Sequence, residues 1–274
     1  MTSFAFKNGE RFDSGVFQER AFMYADGFFE TMRCIHSDIP LWGYHQRRIL
    51  HSAKVLNITI DTDSLLLAVE QAKVCMPQDS VIKLIVGREP SDRASYVVDG
   101  KSAVFYANVR PFHSRSYCQT GVRLIGSEYA LASCGPFDGL KLINRLNYSV
   151  ASAHQRLSDG EELLFCNTSG NIVETMHHNI FAFQGDSIIT PSLSLAGVKG
   201  TMRQYLIDHA EDLFDNDVQE RELTLTELCE SDAVFICNAV DGVVPVNSIN
   251  TCFFDNSDGI IRLQSKLQQR WAHA

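Results

Sequence analysis

The sequence predicts an α/β protein built as two domains, a small one followed by a larger one. Three observations lead there. Two near-continuous apolar runs, "SVIKLIVGRE" and "SAVFYANVRPF", read as strands of a buried sheet. Segments with apolar residues at helical period lie before and after these runs. The stretch "PFHSRSYCQTG", residues 111–121, is polar and aperiodic and holds Pro111 and Gly121, as a linker does. The expected division is a small N-terminal α/β domain over 1–113, a linker over 114–121 and a larger α/β domain over 122–274.

The elements follow in order. "SFAFKNGERFD" reads as a hairpin around Asn8-Gly9, a favoured two-residue turn. "GFFETMRCIHSDIPLW" suggests a second hairpin turning near Ser37-Asp38, with Phe28 and Phe29 anchoring its first strand in the small domain. "GYHQRRILHSAKVLNI" places Ile49, Ala53 and Leu56 on one helical face. "DTDSLLLAVEQAKVC" opens on capping residues, and Leu65, Val69 and Ala72 follow at helical spacing. Past the linker come a strand "VRLIGS", a loop "ASCGPFDG" and a helix with Ile143, Leu146, Val150 and Leu157 on one face. Short strands "ELLFC", "IVETM", "NIFAF" and "IIT" alternate with turns, and a helix starts near Gly200-Thr201. The chain closes with "DAVFICNAV", a turn at "DGV", and a terminal helix "SKLQQRWAHA".

Composition narrows the function classes. The net charge of −9 argues against a general nucleic-acid binder, while leaving room for a local basic pocket. No apolar run reaches membrane-spanning length, and the N-terminus has no signal-peptide core. The eight cysteines form no C-x-x-C pair and no zinc spacing, so no metal site is expected. They read as free thiols, mostly small buried hydrophobes, in a cytoplasmic protein.

Four places look like chemistry. Lys141, flanked by Leu140, Leu142 and Ile143, is a lysine in an apolar setting. Such a setting disfavours the ammonium form and frees the amine as nucleophile or base. By alternation Glu174 in "NIVETM" shares a strand face with Ile172 and Met176, and a carboxylate on a buried face needs a cationic partner. "SLAGVKGTMRQYL" turns at Gly197 and Gly200 into a helix start whose free N–H groups suit phosphate. Arg48, beside Arg47 in "YHQRRIL", offers a fork-shaped guanidinium that matches phosphate oxygens. Each feature alone also fits an ordinary surface lysine, an outward strand glutamate, a plain loop-to-helix junction or a solvated arginine. Their joint order along the chain is what carries meaning.

Taken together the sequence resembles the fold type IV pyridoxal-phosphate enzymes, which include branched-chain and D-amino acid aminotransferases and 4-amino-4-deoxychorismate lyase. "YADGFFETMR" is similar to the family's G-D-G-x-[FY]-E-T-x-R, with Ala25 where Gly is usual. "HQRRIL" matches H-x-x-R-L through His45 and Arg48. "LKLIN" matches K-x-x-N through Lys141 and Asn144, and "GNIVETMHHNIF" matches through Glu174 and Asn179. "TPSLSLAGVKGTMR" and "VFICNAVDGVVPV" resemble the last two segments. The resemblance implies pyridoxal 5'-phosphate as cofactor, with Lys141 holding its aldehyde and later shuttling a proton. It implies Glu174 at the pyridine nitrogen, and Arg48, Thr201 and Met202 at the phosphate, with Asn238 and Ala239 closing that site. Arg33, Arg93 and Thr31 become candidates on the substrate side. Thr31 and Arg33 share one strand face by alternation. A homodimer with a small-molecule substrate is implied as well. "LKLINRLN" and "FICNAVDGVVPV" look most like the lyase branch. Leu146 stands where branched-chain aminotransferases tend to carry Tyr. In "GREPSDRASY", Arg88, Arg93 and Tyr96 remain where lyases commonly show R-G-x-G-x-R-G-Y, but Glu89, Pro90 and Ala94 stand among the positions usually held by glycines.

Overall fold

The computed structural model describes residues 5–76, 78–90, 95–255 and 258–271. A hairpin of β1 (Ala5–Lys7) and β2 (Glu10–Phe12) comes first, turning at Asn8-Gly9 as expected. Then come α1 (Arg20–Tyr24), β3 (Gly27–Cys34), α2 (Trp42–Val55), α3 (Thr62–Lys73), β4 (Ser80–Arg88) and β5 (Ala103–Pro111). The three long strands form an antiparallel sheet in the order β3-β4-β5. Helices α2 and α3 cover one face of it. Phe28, Met32, Ile49, Leu65, Ile82 and Leu84 are essentially sealed from solvent there. The hairpin expected after β3 is smaller than predicted. The chain turns at His36-Ser37, both at positive φ, and the return arm pairs only through an isolated bridge from Ile35 to Asp38.

Burial along β3 alternates, so Phe28, Glu30, Met32 and Cys34 face the helices while Phe29, Thr31 and Arg33 face away. Phe28 is therefore an anchor of the core and Phe29 is not.

Short α4 (Tyr117–Thr120) lies inside the expected linker and leads into β6 (Val122–Gly126). The remainder is α5 (Leu146–His154), β7 (Glu161–Cys166), β8 (Ile172–Thr175), β9 (Asn179–Gln184), β10 (Ser187–Pro191), α6 (Thr201–Asp208) and α7 (Ala210–Phe214). After these come β11 (Val218–Arg221), α8 (Leu225–Cys229), β12 (Ala233–Asn238), β13 (Gly242–Ile249), β14 (Cys252–Phe253) and α9 (Asp258–Trp271). A mixed sheet runs β11-β10-β9-β12-β13-β6-β7-β8, with β14 beside β13. Alternation loads its two faces differently. Phe181, Phe235 and Val243 pack under α6 and α9 with Met202, Leu206, Leu263 and Leu267. Ile180, Val234, Ile236 and Val244 pack on the other face with Tyr117 and Leu228.

Three expectations are corrected. No helix begins near Lys141: α5 starts at Leu146, which is 65% exposed, and Leu157 lies beyond its end. Residues 141–143 are drawn off instead as an extended partner of β3, because Phe29 N donates to Lys141 O at 2.9 Å and Ile143 N to Gly27 O at 3.2 Å. The terminal helix begins at Asp258, before the "SKLQQRWAHA" segment, whose last three residues lie outside those described. The cysteines are not all free, since Cys229 at the end of α8 and Cys252 in β14 form a disulfide. Nor are all of them buried, because Cys75 and Cys134 are exposed.

Ala25 explains its own oddity. It caps the C-terminus of α1 with φ 51, a left-handed conformation that glycine adopts without strain. The turn usual for glycine is thus kept at some conformational cost. Ala25→Gly is expected to stabilise the protein by about 1 kcal/mol, the left-handed strain exceeding the extra chain entropy of glycine. Urea unfolding of the two proteins checks this; a lower midpoint for the glycine variant would contradict it.

Candidate active site

The site lies where the two sheets meet, and backbone pairing builds it. The edge of β3 takes Lys141 and Leu142 as a short extra strand, with Phe28 bridged to Leu142. One turn earlier, Gly139 bridges Val198: Gly139 N donates to Gly197 O and Lys199 N donates to Gly139 O. The lysine segment is therefore clamped between the small-domain sheet and the loop before α6. Glycine is required at Gly139 and Gly197, whose φ values are +84 and +85. A Cβ on Gly197 would fall 2.6 Å from Val173 Cγ1, and one on Gly200 only 2.0 Å from Asn179 Oδ1.

The Lys141 Nζ sits 4.7 Å from the centroid of the Phe29 ring. Burial, then the nearby positive charges of Arg48 and Arg145, bring its amine down to about 8.

Glu174 is 5% exposed, and all of β8 is buried, so alternation does not separate its faces as the sequence suggested. The carboxylate accepts from Tyr148 Oη at 2.6 Å, Val198 N at 2.9 Å and Asn179 Nδ2 at 3.2 Å. Burial pushes its pKa up, against these donors and the charges of Arg145 and Lys141. Among the described residues no cation lies in ion-pair contact with it. Two carboxylate oxygens offer roughly four acceptor positions. The recorded donors leave room on Oε1 for a further N–H.

Arg48 lies beside the start of α6. Its Nε and Nη2 fork Glu30 at 2.7 and 2.5 Å, and Nη1 donates to Lys199 O at 3.0 Å. Burial would raise Glu30, but Arg48 and His45 outweigh it and hold the carboxyl down at about 2. His45 Nδ1 reaches the same carboxylate at 2.6 Å. Burial lowers the His45 pKa, against the pull of the Glu30 carboxylate. No side chain caps α6 at Gly200, so its first backbone N–H groups, Thr201 and Met202 among them, lack a side-chain cap, while Arg48 is tied to Lys199 just before the helix.

A profile of the family described as amino-transferase class IV matches residues 27–249. The chain belongs to this family. The class IV aminotransferases are pyridoxal-phosphate enzymes, and this chain has their mixed α/β fold. It is 26% identical over 234 residues to an aminodeoxychorismate lyase of Vibrio harveyi, covering 85% of this chain and 86% of that one. A putative branched-chain-amino-acid aminotransferase of Methanocaldococcus jannaschii is 25% identical over 95% of this chain and 88% of its own. Among solved structures, the 4-amino-4-deoxychorismate lyase of Pseudomonas aeruginosa superposes with a TM-score of 0.86 at 27% identity, over 92% of this chain and 93% of that one.

The site of this class IV chain fits its cofactor on its own geometry. A buried carboxylate has spare acceptor capacity, an uncapped helix start lies beside an arginine, and glycines sit where any Cβ would collide. The remaining sequence candidates fare unevenly. Thr31 lies on the open strand face, half-buried. Arg33 is engaged elsewhere: it stacks 3.6 Å from the Phe112 centroid and reaches Asp79 at 3.4 Å and Val240 O at 3.5 Å. Arg93 lies outside the described residues. Arg88 is structural, bound to Asp26 and to the carbonyls of Leu56 and Asn57 at the end of α2. Asn238 folds back on its own turn, accepting from Val240 N and Asp241 N, and Ala239 lines a small cavity with Arg33, His45 and Trp271.

Two site residues escaped the sequence reading. Glu30 had a signal, because alternation puts a charged residue on the Phe28–Met32 face and such a residue needs a buried partner. Tyr148 had none, since nothing local ties it to a strand 26 residues away.

Gly200→Ala should displace Asn179 and, through it, Glu174, weakening pyridoxal phosphate binding by at least about tenfold. Absorbance titration of the apoprotein measures this; unchanged affinity would show that the glycine is dispensable. Lys141 should react with trinitrobenzenesulfonate along a pH curve with its midpoint near 8, below the ordinary lysine value of 10.5. A lowered pKa makes the neutral amine the majority above pH 8 rather than above 10.5. The phase must vanish in Lys141→Ala, and a midpoint of 10 or higher would contradict the burial argument.

Proposed function

We propose that the protein is a 4-amino-4-deoxychorismate lyase, splitting its substrate into p-aminobenzoate and pyruvate in folate synthesis. The observation that carries this is the whole-length likeness to the Pseudomonas lyase. Leu146 is in keeping with it: an exposed leucine supplies no hydroxyl where branched-chain aminotransferases tend to carry tyrosine.

In this reading Lys141 is the attachment point of the cofactor and the general base. When bound, pyridoxal phosphate supplies the electron sink for the reaction. Glu174, kept buried by Val198 N, Asn179 and Tyr148, holds the proton on the pyridine nitrogen. Arg48, fixed by Glu30, and the Thr201 and Met202 amides hold the phosphate, with the Asn238–Ala239 turn beside them. Lys141 Nζ takes the proton from the amine-bearing ring carbon, and an amine with pKa about 8 can do so near neutrality. The C–O bond to the enolpyruvyl group breaks, the ring becomes aromatic, and the departing enol takes up a proton to give pyruvate. Atoms balance without added water. Thr31 lines the substrate side. The same reading places the domain division at 1–113 and 122–274 and takes the working form to be a cytoplasmic homodimer.

The purified enzyme, showing a visible cofactor band that borohydride abolishes, should convert aminodeoxychorismate to p-aminobenzoate and pyruvate in equal amounts. Lys141→Ala should lower that rate by about 10³-fold or more at unchanged melting temperature. The second reading, an aminotransferase, rests on the 25% identity to the Methanocaldococcus protein over 95% of the chain. Background p-aminobenzoate together with conversion of the cofactor to its amine form by D-alanine or a branched-chain amino acid would establish it instead.

A further inference from the structure

Beside Lys141, two further cations, Lys83 and Arg145, gather at the open face of the small sheet, and the proposed roles leave both unused. Lys83 stands opposite Thr31 in the β3–β4 register and so projects from the same face as Thr31 and Phe29. Its Nζ lies 4.7 Å from the Phe29 centroid, the same distance as Lys141 Nζ. The Arg145 guanidinium lies 5.9 Å from that centroid and 5.2 Å from the Tyr148 ring. Three cations thus gather around one aromatic ring.

Ordinary surface cations of an acidic protein find carboxylates nearby. Here, in a chain of net charge −9, none of the described carboxylates forms an ion pair with Lys83 or Arg145, and Glu174 feels the charge of Arg145 only at a distance. The Arg145 side chain is half-buried, donating to Leu140 O at 3.4 Å and lying against Tyr148. Like charges beside Lys141 repel one another, and an anion arriving there relieves the repulsion. Arg33, the sequence's choice for a carboxylate, is already held by Asp79 and Phe112.

The chemistry of the two candidate substrate classes differs at this point. A D-amino or branched-chain amino acid brings one carboxylate, on the reacting carbon. Aminodeoxychorismate brings two, one on the ring and one on the enolpyruvyl arm, both away from the amine-bearing carbon. A cation pair flanking the lysine on its open side suits the second pattern.

We propose that Lys83 and Arg145 are the carboxylate-binding residues of this site and select a cyclic amine bearing two carboxylates. The inference rests on the lyase reading and deepens it. Both residues act by binding, so their loss falls on KM more than on kcat.

The test uses the holoenzyme with Lys83→Met, Lys83→Arg and Arg145→Met. Each methionine variant should raise KM for aminodeoxychorismate by about 10- to 100-fold with kcat nearly kept, and Lys83→Arg should restore most of the loss. Isophthalate and benzoate serve as competitive probes of the same subsite. Wild type should bind the dicarboxylate more tightly, an advantage that salt weakens and the methionine variants lose. Methionine variants with wild-type KM and wild-type probe preference, even with a lowered melting temperature, would overturn the proposal and leave only a structural cation–π role. Failure of the lyase reading is distinguishable: wild type would then make no p-aminobenzoate, while the isophthalate-to-benzoate ratio still reports on the cation pair.

Discussion

The site depends on one backbone interaction, the pairing of residues 141–143 with the edge of β3. That pairing lays a segment of the large domain onto the small-domain sheet, with Phe29 N bonded to Lys141 O. It fixes the side to which the lysine points, because a strand partner has only two choices of face. The chosen face is the one bearing Phe29. The lysine amine is therefore brought over an aromatic surface, where burial and then the charges of Arg48 and Arg145 lower its pKa. Without the pairing, the segment could have continued α5 backwards, and the amine would have had no defined place.

Around this fixed point, charges are sorted by what each oxygen or nitrogen is offered. Glu30 and Glu174 are both buried, yet their pKa values move in opposite directions. Glu30 meets a forked guanidinium and stays ionised. Glu174 meets neutral donors and only distant cations, so burial wins. The first is a structural support for Arg48; the second is a carboxylate prepared for a partner the protein does not itself supply. A similar buried arrangement lies nearby, where His178 is held between Glu162 at 2.9 Å and Asp241 at 3.1 Å and its pKa rises to about 9 against the effect of burial. It ties β7 to the turn that carries Asn238 and Ala239.

Much of this was legible in the sequence. Lys141, Glu174, Arg48 and the Gly197–Gly200 turn each sit in short segments whose chemistry is local, and the structure brings them to one place. The strands were legible from apolar runs bounded by turns and the two long small-domain helices from periodicity. What failed was set by distant partners. The 141–146 stretch has helical spacing of apolar residues, but β3, more than 100 residues earlier, claims its backbone. The contacts of Asp79 and Phe112 with the Arg33 guanidinium likewise come from far along the chain. Cys229 and Cys252, 23 residues apart, carry no spacing that announces a bond between a helix end and a sheet edge.

The bridge between Gly139 and Val198 has a meaning beyond geometry. It joins the loop that presents the lysine to the loop that presents the helix start, and the Lys199 stem lies across Gly139 to seal the join. The two halves of the candidate site are thus one mechanical unit, ordered by folding itself. Little conformational freedom is left to be lost when a ligand arrives, so binding free energy is not drained into assembling the site. A protein built this way offers a rigid receptor to whatever is held between these two loops, and any adaptability must come from the open face of the small sheet.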